Sequence, residues 1–327
     1  MATRGGDTLL TLSDWVKRND PDGKVAAVVE MLNQTNEILD DALWKEGNLP
    51  TGHRTTVRTD LPSVTWRKLN YGVKPSKSKT KQVDDTCGML EAYAEVDKDL
   101  ADLNGNTSEF RLSEDRAFLE SMNQEMAQTM IYGDTDIHPE RFLGFAPRYP
   151  FYNSPNVINA GGSGNDCTSI WLVVWGENTV HMTFPKGSTA GLTHEDKGQV
   201  TLYDGDGGKY EGYQTHYQWK PGLVVRDWRY VARLCNIDMG SNPTADNLVA
   251  WIIKLIGKIP NLRMGKAVMY MSQACLDLLD IAAMNKTNTY MTYGEDSFGF
   301  PVSKFRKIPL HRVDAILNTE AALTAAA

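Results

Sequence analysis

The chain has 327 residues, with 34 Lys plus Arg against 41 Asp plus Glu, a formal net charge of -7, 41% hydrophobic residues and 4 Cys. That length fills one large domain or two smaller ones, and the composition is that of a folded chain, not a disordered one. The acidic balance excludes a general basic coat for gripping phosphates, and the dispersed Cys87, Cys167, Cys235 and Cys275 form no CxxC, so reduced thiols are expected in place of a zinc knuckle or disulfide scaffold.

In chain order, MATRGGDTLLTLSDW lacks the apolar run of a signal peptide, so no secretion signal is expected. The longest apolar runs, such as residues 248 to 253, fall far short of the roughly 20 residues that span a bilayer. From Asp22, an N-cap type, Val25, Val28, Val29, Leu32, Leu39 and Leu43 follow a helical stripe interrupted at Asn36, with Gly47 and Pro50 as the stop. This helix either packs within the chain or finds part of its core on another copy.

Residues 52 to 81 carry Arg54, Arg58, Arg67, Lys68, Lys74, Lys77, Lys79 and Lys81 against the single acid Asp60. Their β-branched residues, Trp66 and Tyr71 predict an exposed hairpin broken at Pro62, with its tip at Asn70 to Gly72 or in KPSKSKTK. The sign then reverses. Residues 84 to 120 hold eleven acids, among them Glu91, Asp97, Asp99, Glu114 and Asp115, against Lys98, Arg111 and Arg116. Opposite blocks side by side pair either within a subunit or between subunits. The basic block also keeps a nucleic-acid reading open, although two aromatics make no stacking platform.

Ser113 is expected to begin a helix whose apolar side is Ala117, Phe118, Leu119, Met122, Met126 and Met130 and which ends at Tyr132 to Gly133. Residues 133 to 165 read as loop because Pro and Gly punctuate them, anchored by Phe142, Phe145, Tyr149, Phe151 and Tyr152. From 168 onward TSIWLVVWG, NTVHMTFP, GQVTLYD and YEGYQTHYQW predict strands, and LVVRDWRYVARLCNI one long strand or two pieces, with Arg226, Asp227, Arg229 and Arg233 at an edge or on a salt-bridged surface. Two helices follow, one from Thr244 with Leu248, Trp251, Ile252, Leu255 and Ile256 inward, stopping at Gly257 and Pro260, the other from Ser272 with Cys275, Leu276, Leu279 and Ala283 inward. The strand RMGKAVMYMS separates them, FRKIPLHRVDAIL is expected to rejoin the main sheet, and TEAALTAAA to fray. The fold class is mixed α+β.

Chemical motifs fail on spacing. GGSGND lacks the GxxxxGK of a phosphate loop, DGDGGKYEG lacks the ligands of a calcium loop, and the six His form no HExxH or close pair. There is no GxSxG. No catalytic, cofactor-binding or metal residue is therefore assigned, no cofactor is expected, and an unrecognised hydrolase survives only as an alternative.

Residues 175 to 238, WGENTVHMTFPKGSTAGLTHEDKGQVTLYDGDGGKYEGYQTHYQWKPGLVVRDWRYVARLCNID, resemble major capsid proteins of tailed bacteriophages, especially short-tailed phages related to a Bordetella phage, as does FGFPVSKFRKIPLHRVDAILNTEA at 298 to 321. The resemblance implies the Hong Kong 97-type fold, with an arm at 1 to 50, an extended hairpin at 51 to 85 and a mainly peripheral domain at 86 to 243 with a spine helix at 113 to 131. It implies a mainly axial domain at 244 to 296 and, at 297 to 327, a C-terminal return strand of the peripheral domain and a tail. It also implies a shell around double-stranded DNA, built in the host cytoplasm from pentamers and hexamers, with scaffold, portal and cement or decoration proteins as partners and no membrane. No Lys and Asn match the family's crosslinking pattern, so noncovalent assembly is expected. The expected interface residues are Arg54, Arg58, Trp66, Arg67, Lys68, Tyr71, Lys74, Lys77, Lys79, Lys81, Glu91, Asp97, Asp99, Glu114 and Asp115.

Overall fold

The computed structural model describes residues 10, 11, 14, 34–103, 105–204, 207–240, 245–285, 291–295 and 301–326. The elements run α1 (Ile38–Asp41), β1 (Trp44–Glu46), β2 (Gly52–Asp60), β3 (Lys79–Thr86), β4 (Leu90–Asp97), α2 (Lys98–Ala101), α3 (Thr107–Tyr132), β5 (Val157–Asn159) and β6 (Cys167–Trp175). They continue β7 (Val180–Phe184), β8 (Leu192–Tyr203), β9 (Lys209–Trp219), β10 (Gly222–Val225), β11 (Val231–Asp238), α4 (Ala245–Lys258), β12 (Lys266–Met271), α5 (Gln273–Asn285), β13 (Met291–Glu295), β14 (Pro301–Phe305) and β15 (Ile308–Arg312). They fall into two compact units, one of residues 1–35, 89–127 and 191–220, the other of 36–88, 128–190 and 221–327.

In the first unit β9 is the middle strand of an antiparallel β4-β9-β8 sheet. Strand alternation turns Leu90, Ala92, Ala94 and Val96 to one face, where Ala94 and Tyr217 pack with Met122 of α3, and Val96 with Phe110. Glu91, Tyr93, Glu95 and Asp97 take the opposite face. The Met stripe is core, as its spacing implies, whereas Ala117 and Leu119 are exposed. The helix starts six residues before the expected Ser113, at Thr107, whose hydroxyl donates to Asp102 Oδ1 at 2.6 Å.

The second unit is built on a sheet in the order β1-β7-β6-β12-β15-β14-β13, with β10 beside β7, and β11 beside both β5 and β6. Every residue of β6 is buried, which explains its unbroken apolar run: both faces are covered. Ile170, Leu172 and Val174 meet Leu248, Ile252 and Leu255 of α4 and Cys275 and Leu279 of α5, while Trp171 and Trp175 face Phe145, with ring centroids 5.8 and 6.2 Å away. β15 rejoins the main sheet, as expected, and does so parallel to β12.

Several expectations need correction. The first helix falls largely outside the described residues, as does its cap Asp22 and the cap Thr244; where the chain is described, 42 to 46 is extended, with Trp44–Glu46 parallel to β7. The segment read as loop contains β5, recruited by β11. The arginine-rich run divides into β10 and β11, and Arg233 is not at a surface but 3% exposed. α4 continues through Gly257 to Lys258.

The tail does not fray. A register shift in β11 lets Asn236, at φ 56°, turn out of the ladder. Its Oδ1 accepts from the Leu323 N–H at 2.7 Å, while Glu320 exchanges backbone hydrogen bonds with Cys167 at 2.8 and 3.1 Å. The Glu320 carboxylate accepts from Arg233 at 2.9 Å and from Tyr132 at 2.5 Å. Small residues hide this docking from sequence patterns, because backbone amides and one buried ion pair supply it.

Candidate intersubunit interface

β2 and β3 form an antiparallel hairpin registered from Gly52↔Thr86 to Asp60↔Lys79. Its root is tight: a Cβ on Gly52 would lie 2.1 Å from the Asp85 carbonyl oxygen, so only glycine fits. Nine residues of β2 extend about 30 Å. Outside the root the side chains leave the core, and 61 to 77 is exposed throughout without regular secondary structure except a turn. That turn closes by Tyr71 N–H donating to Lys68 O at 3.2 Å, with Asn70 at φ 67°, a conformation asparagine tolerates better than most residues. The reversal thus falls in the first of the two expected places. Ser76 Oγ donates to Ser63 O at 2.8 Å, tying the two arms of the loop.

Two kinds of side chain crowd this tip. Trp66 is 100% and Tyr71 72% exposed, and Leu61, Val64 and Leu69 are more than three-quarters exposed. Neither Trp66 nor Tyr71 is buried within the hairpin. Among the charges, Arg54 donates to Asp84 at 2.6 and 2.7 Å and Lys79 pairs with Asp60 at 3.1 Å, so these two basic residues are partnered within the hairpin. Arg58, Arg67, Lys68, Lys74, Lys77 and Lys81 meet no carboxylate among the described residues.

The expected acidic residues divide as well. Glu91 lies on the open face of the β4-β9-β8 sheet, accepting from Gln218 and standing 3.5 Å from His216, and Glu95 accepts from Gln214 at 2.6 Å. Tyr93 stacks on His216 with centroids 4.4 Å apart, under Lys197 at 5.5 Å. The Gln218 hydrogen bond, ahead of any effect of His216, holds the Glu91 carboxyl below its usual range. Glu195 belongs to the same face, across from His216. Asp97 instead caps α2, accepting from the Asp99 N–H at 2.9 Å. Asp115 is half-buried and burial pushes its carboxyl up, against the pull of Arg111. Glu114 has a partner of its own within the chain. Glu91, Glu95 and Glu195 thus share one sheet face, a grouping that the alternation EAYAEVD and the strand pairing reveal.

No group of three or more His, Cys, Asp or Glu residues converges as a metal site would among the described residues, and no helix there is long and apolar enough to cross a membrane. The imidazoles lie against carboxylates and aromatic rings, and none is hydrogen-bonded to a Ser or Cys among the described residues.

The model of the family "Major capsid protein GP7" matches residues 20–324. The chain belongs to that family. It is similar to a chain of the near-atomic cryo-EM structure of bacteriophage Epsilon15, with 35% identity, a TM-score of 0.77, and coverage of 99% of this chain and 100% of that one. Fainter likenesses include the bacteriophage JBD30 capsid (10% identity, 89% and 95% covered, TM-score 0.48) and the capsid of the native GTA particle (10%, 65% and 93%, 0.46). No curated protein sequence matches. The protein is a major capsid protein with the Hong Kong 97-type fold, a subunit of an icosahedral phage head whose place is the virion.

Proposed function

We propose that each subunit is locked into the shell by laying the 61 to 78 tip of its hairpin on the acidic sheet face of a neighbouring copy. The observation that carries this is the tip itself. Arg67, Lys68, Lys74 and Lys77, four cations without carboxylate partners among the described residues, interleave there with the exposed Leu61, Val64, Trp66, Leu69, Tyr71 and Val73, and exposed apolar clusters of that kind mark interaction surfaces. Burying Leu61, Val64, Trp66 and Leu69 would contribute about 1.5 to 3 kcal/mol each before the tip's ordering is subtracted. Arg58, Arg67, Lys68, Lys74, Lys77 and Lys81 would set register against Glu91, Glu95 and Glu195, with Asp97, Asp99, Glu114 and Asp115 adding to the field. Arg54 and Lys79, already paired, would stiffen the arm instead.

In this reading the arm is 1 to 50, the hairpin 51 to 85, and the peripheral domain lies within 86 to 243 around the spine helix. The axial part centres on 244 to 296, and 297 to 327 supplies the return strand of the peripheral domain and the tail. β12 hydrogen bonds to both β6 and β15, which supports drawing those strands into the axial share. Pentamers and hexamers, scaffold and portal proteins during assembly in the host cytoplasm, a cement protein and enclosed double-stranded DNA complete the proposal. Kinship with the capsid of a short-tailed Bordetella phage rests on residues 175 to 238 and 298 to 321.

The test is electron microscopy and light scattering of the protein coexpressed with its assembly factors. Closed particles or curved sheets are expected, and persistent monodisperse monomers would count against the scheme. Reversing Lys74, Lys77 and Lys81 to Glu should abolish particles while leaving a folded subunit; unchanged assembly refutes the docking role.

A further inference from the structure

The hairpin root is seated on the large sheet through polar side chains. His53 and Thr55 lie two apart on β2, His181 and Thr183 two apart on β7, so each pair shares a face of its strand. Asp85 stands across from His53 on β3. All five are buried, His181 and Thr183 completely. The two imidazoles meet edge to face with centroids 5.4 Å apart. Neither nitrogen of either ring, nor the hydroxyl of Thr55 or Thr183, nor Asp85 Oδ2 has a hydrogen-bond partner among the described residues. Buried polar atoms are normally paired, and a cluster of orphans across one seam marks a contact that is held shut only weakly.

The charges around the seam decide what a proton would do there. Lys45 on β1 is next to β7, opposite Thr183, and Arg226 follows β10, the other neighbour of β7. Both are engaged by Glu177, Lys45 with its carboxylate at 3.3 Å and Arg226 with its carbonyl at 3.0 Å. Asp85, the carboxylate across from His53, is taken up by Arg148 at 2.7 Å. An imidazolium at either position would face burial, the second ring and two cations.

We propose that the His53–His181 contact is a proton-operated latch, which seats the hairpin on β7 while both rings are neutral and releases it on acidification. The latch belongs to the single chain, so it stands whether or not the hairpin tip reaches a neighbour. Burial, then the second ring and the two cations, push the seated His181 down to about 4 from the 6.5 of an exposed ring, and burial pushes His53 down as well. A depressed histidine makes seating complete above pH 6.5 and progressively lost as pH falls toward 4. For His181 alone, proton uptake favours the released state about 30-fold at pH 5 and about 160-fold at pH 4.

Hydrogen exchange of the full-length soluble subunit between pH 7.5 and 4.5, corrected for intrinsic rates, tests the latch. Amides of residues 53 to 57 and 81 to 86 should lose about 30-fold protection at pH 5, while β6 stays protected. His181→Phe and His53→Phe, which keep ring volume without titrating, should each reduce the step, and His181→Gln serves if the Phe variant does not fold. His311→Asn, remote from the seam and paired with Asp41, should retain it. Equal protection at pH 5 and 7.5, a step unchanged in both Phe variants, or β6 opening together with the hairpin would each overturn the proposal.

Discussion

Replacing Glu320 by Ala should melt the tail from the sheet and destabilise the second unit. Arg233 and Glu320 are a buried pair, with side chains 4% and 7% exposed. The guanidinium also donates to Ser169 Oγ at 3.1 Å and to the Tyr149 carbonyl at 3.2 Å, and lies 4.8 Å over the Trp171 ring. Truncating the carboxylate leaves that cation, the Ser169 hydroxyl and the Tyr132 hydroxyl without their acceptor. Breaking one side of a buried pair costs about 3 to 5 kcal/mol, because a charge stays buried without compensation. For a unit of roughly this size each kcal/mol moves the midpoint by about 2 to 4 °C, so calorimetry should record a fall of at least about 6 °C. Arg233→Met combined with Glu320→Leu removes both charges and keeps apolar volume, so it should recover most of the loss. A fall below about 2 °C for Glu320→Ala, or a double variant worse than the single one, would refute the reasoning.

Two further outcomes follow from burial. Trp66→Ala removes a side chain that is fully exposed among the described residues, so the subunit's stability should change by no more than the about 0.5 kcal/mol typical of surface changes, while particle yield falls sharply; a destabilised monomer would contradict the exposed tip. Cys235 and Cys275 are buried, and burial pushes both thiols up to about 11, so a thiol reagent at pH 8 should modify them only after denaturant is added. Rapid labelling of the native subunit would show that the core opens far more readily than its packing implies.

The corrections share a cause. The central strands were legible because β6, β7, β9 and β12 carry dense β-branched and aromatic runs, and α4 and α5 because their apolar spacing is helical. β5 was not, since three residues become a strand only when β11 offers hydrogen bonds. Arg233 read as a surface charge because its compensating Glu320 lies 87 residues away, in a tail too plain to suggest burial. The acidic face was half legible: composition marked the segment, but only the register of β4 with β9 and β8 brings Glu91, Glu95 and Glu195 together.

By itself the sequence determined that a basic, aromatic-bearing stretch precedes an acidic one, that the former is a hairpin, and that no spaced catalytic motif is present. These follow from local composition, because turn residues, β-branched residues and charge act over a few positions. The tertiary structure decided which charges are already spent, pairing Arg54 with Asp84 and Lys79 with Asp60 while leaving the other six basic side chains of the hairpin in water, and it joined His53 to His181 across 128 positions of chain. Such long-range pairings depend on sheet order and register, and nothing in the residues near either partner encodes them.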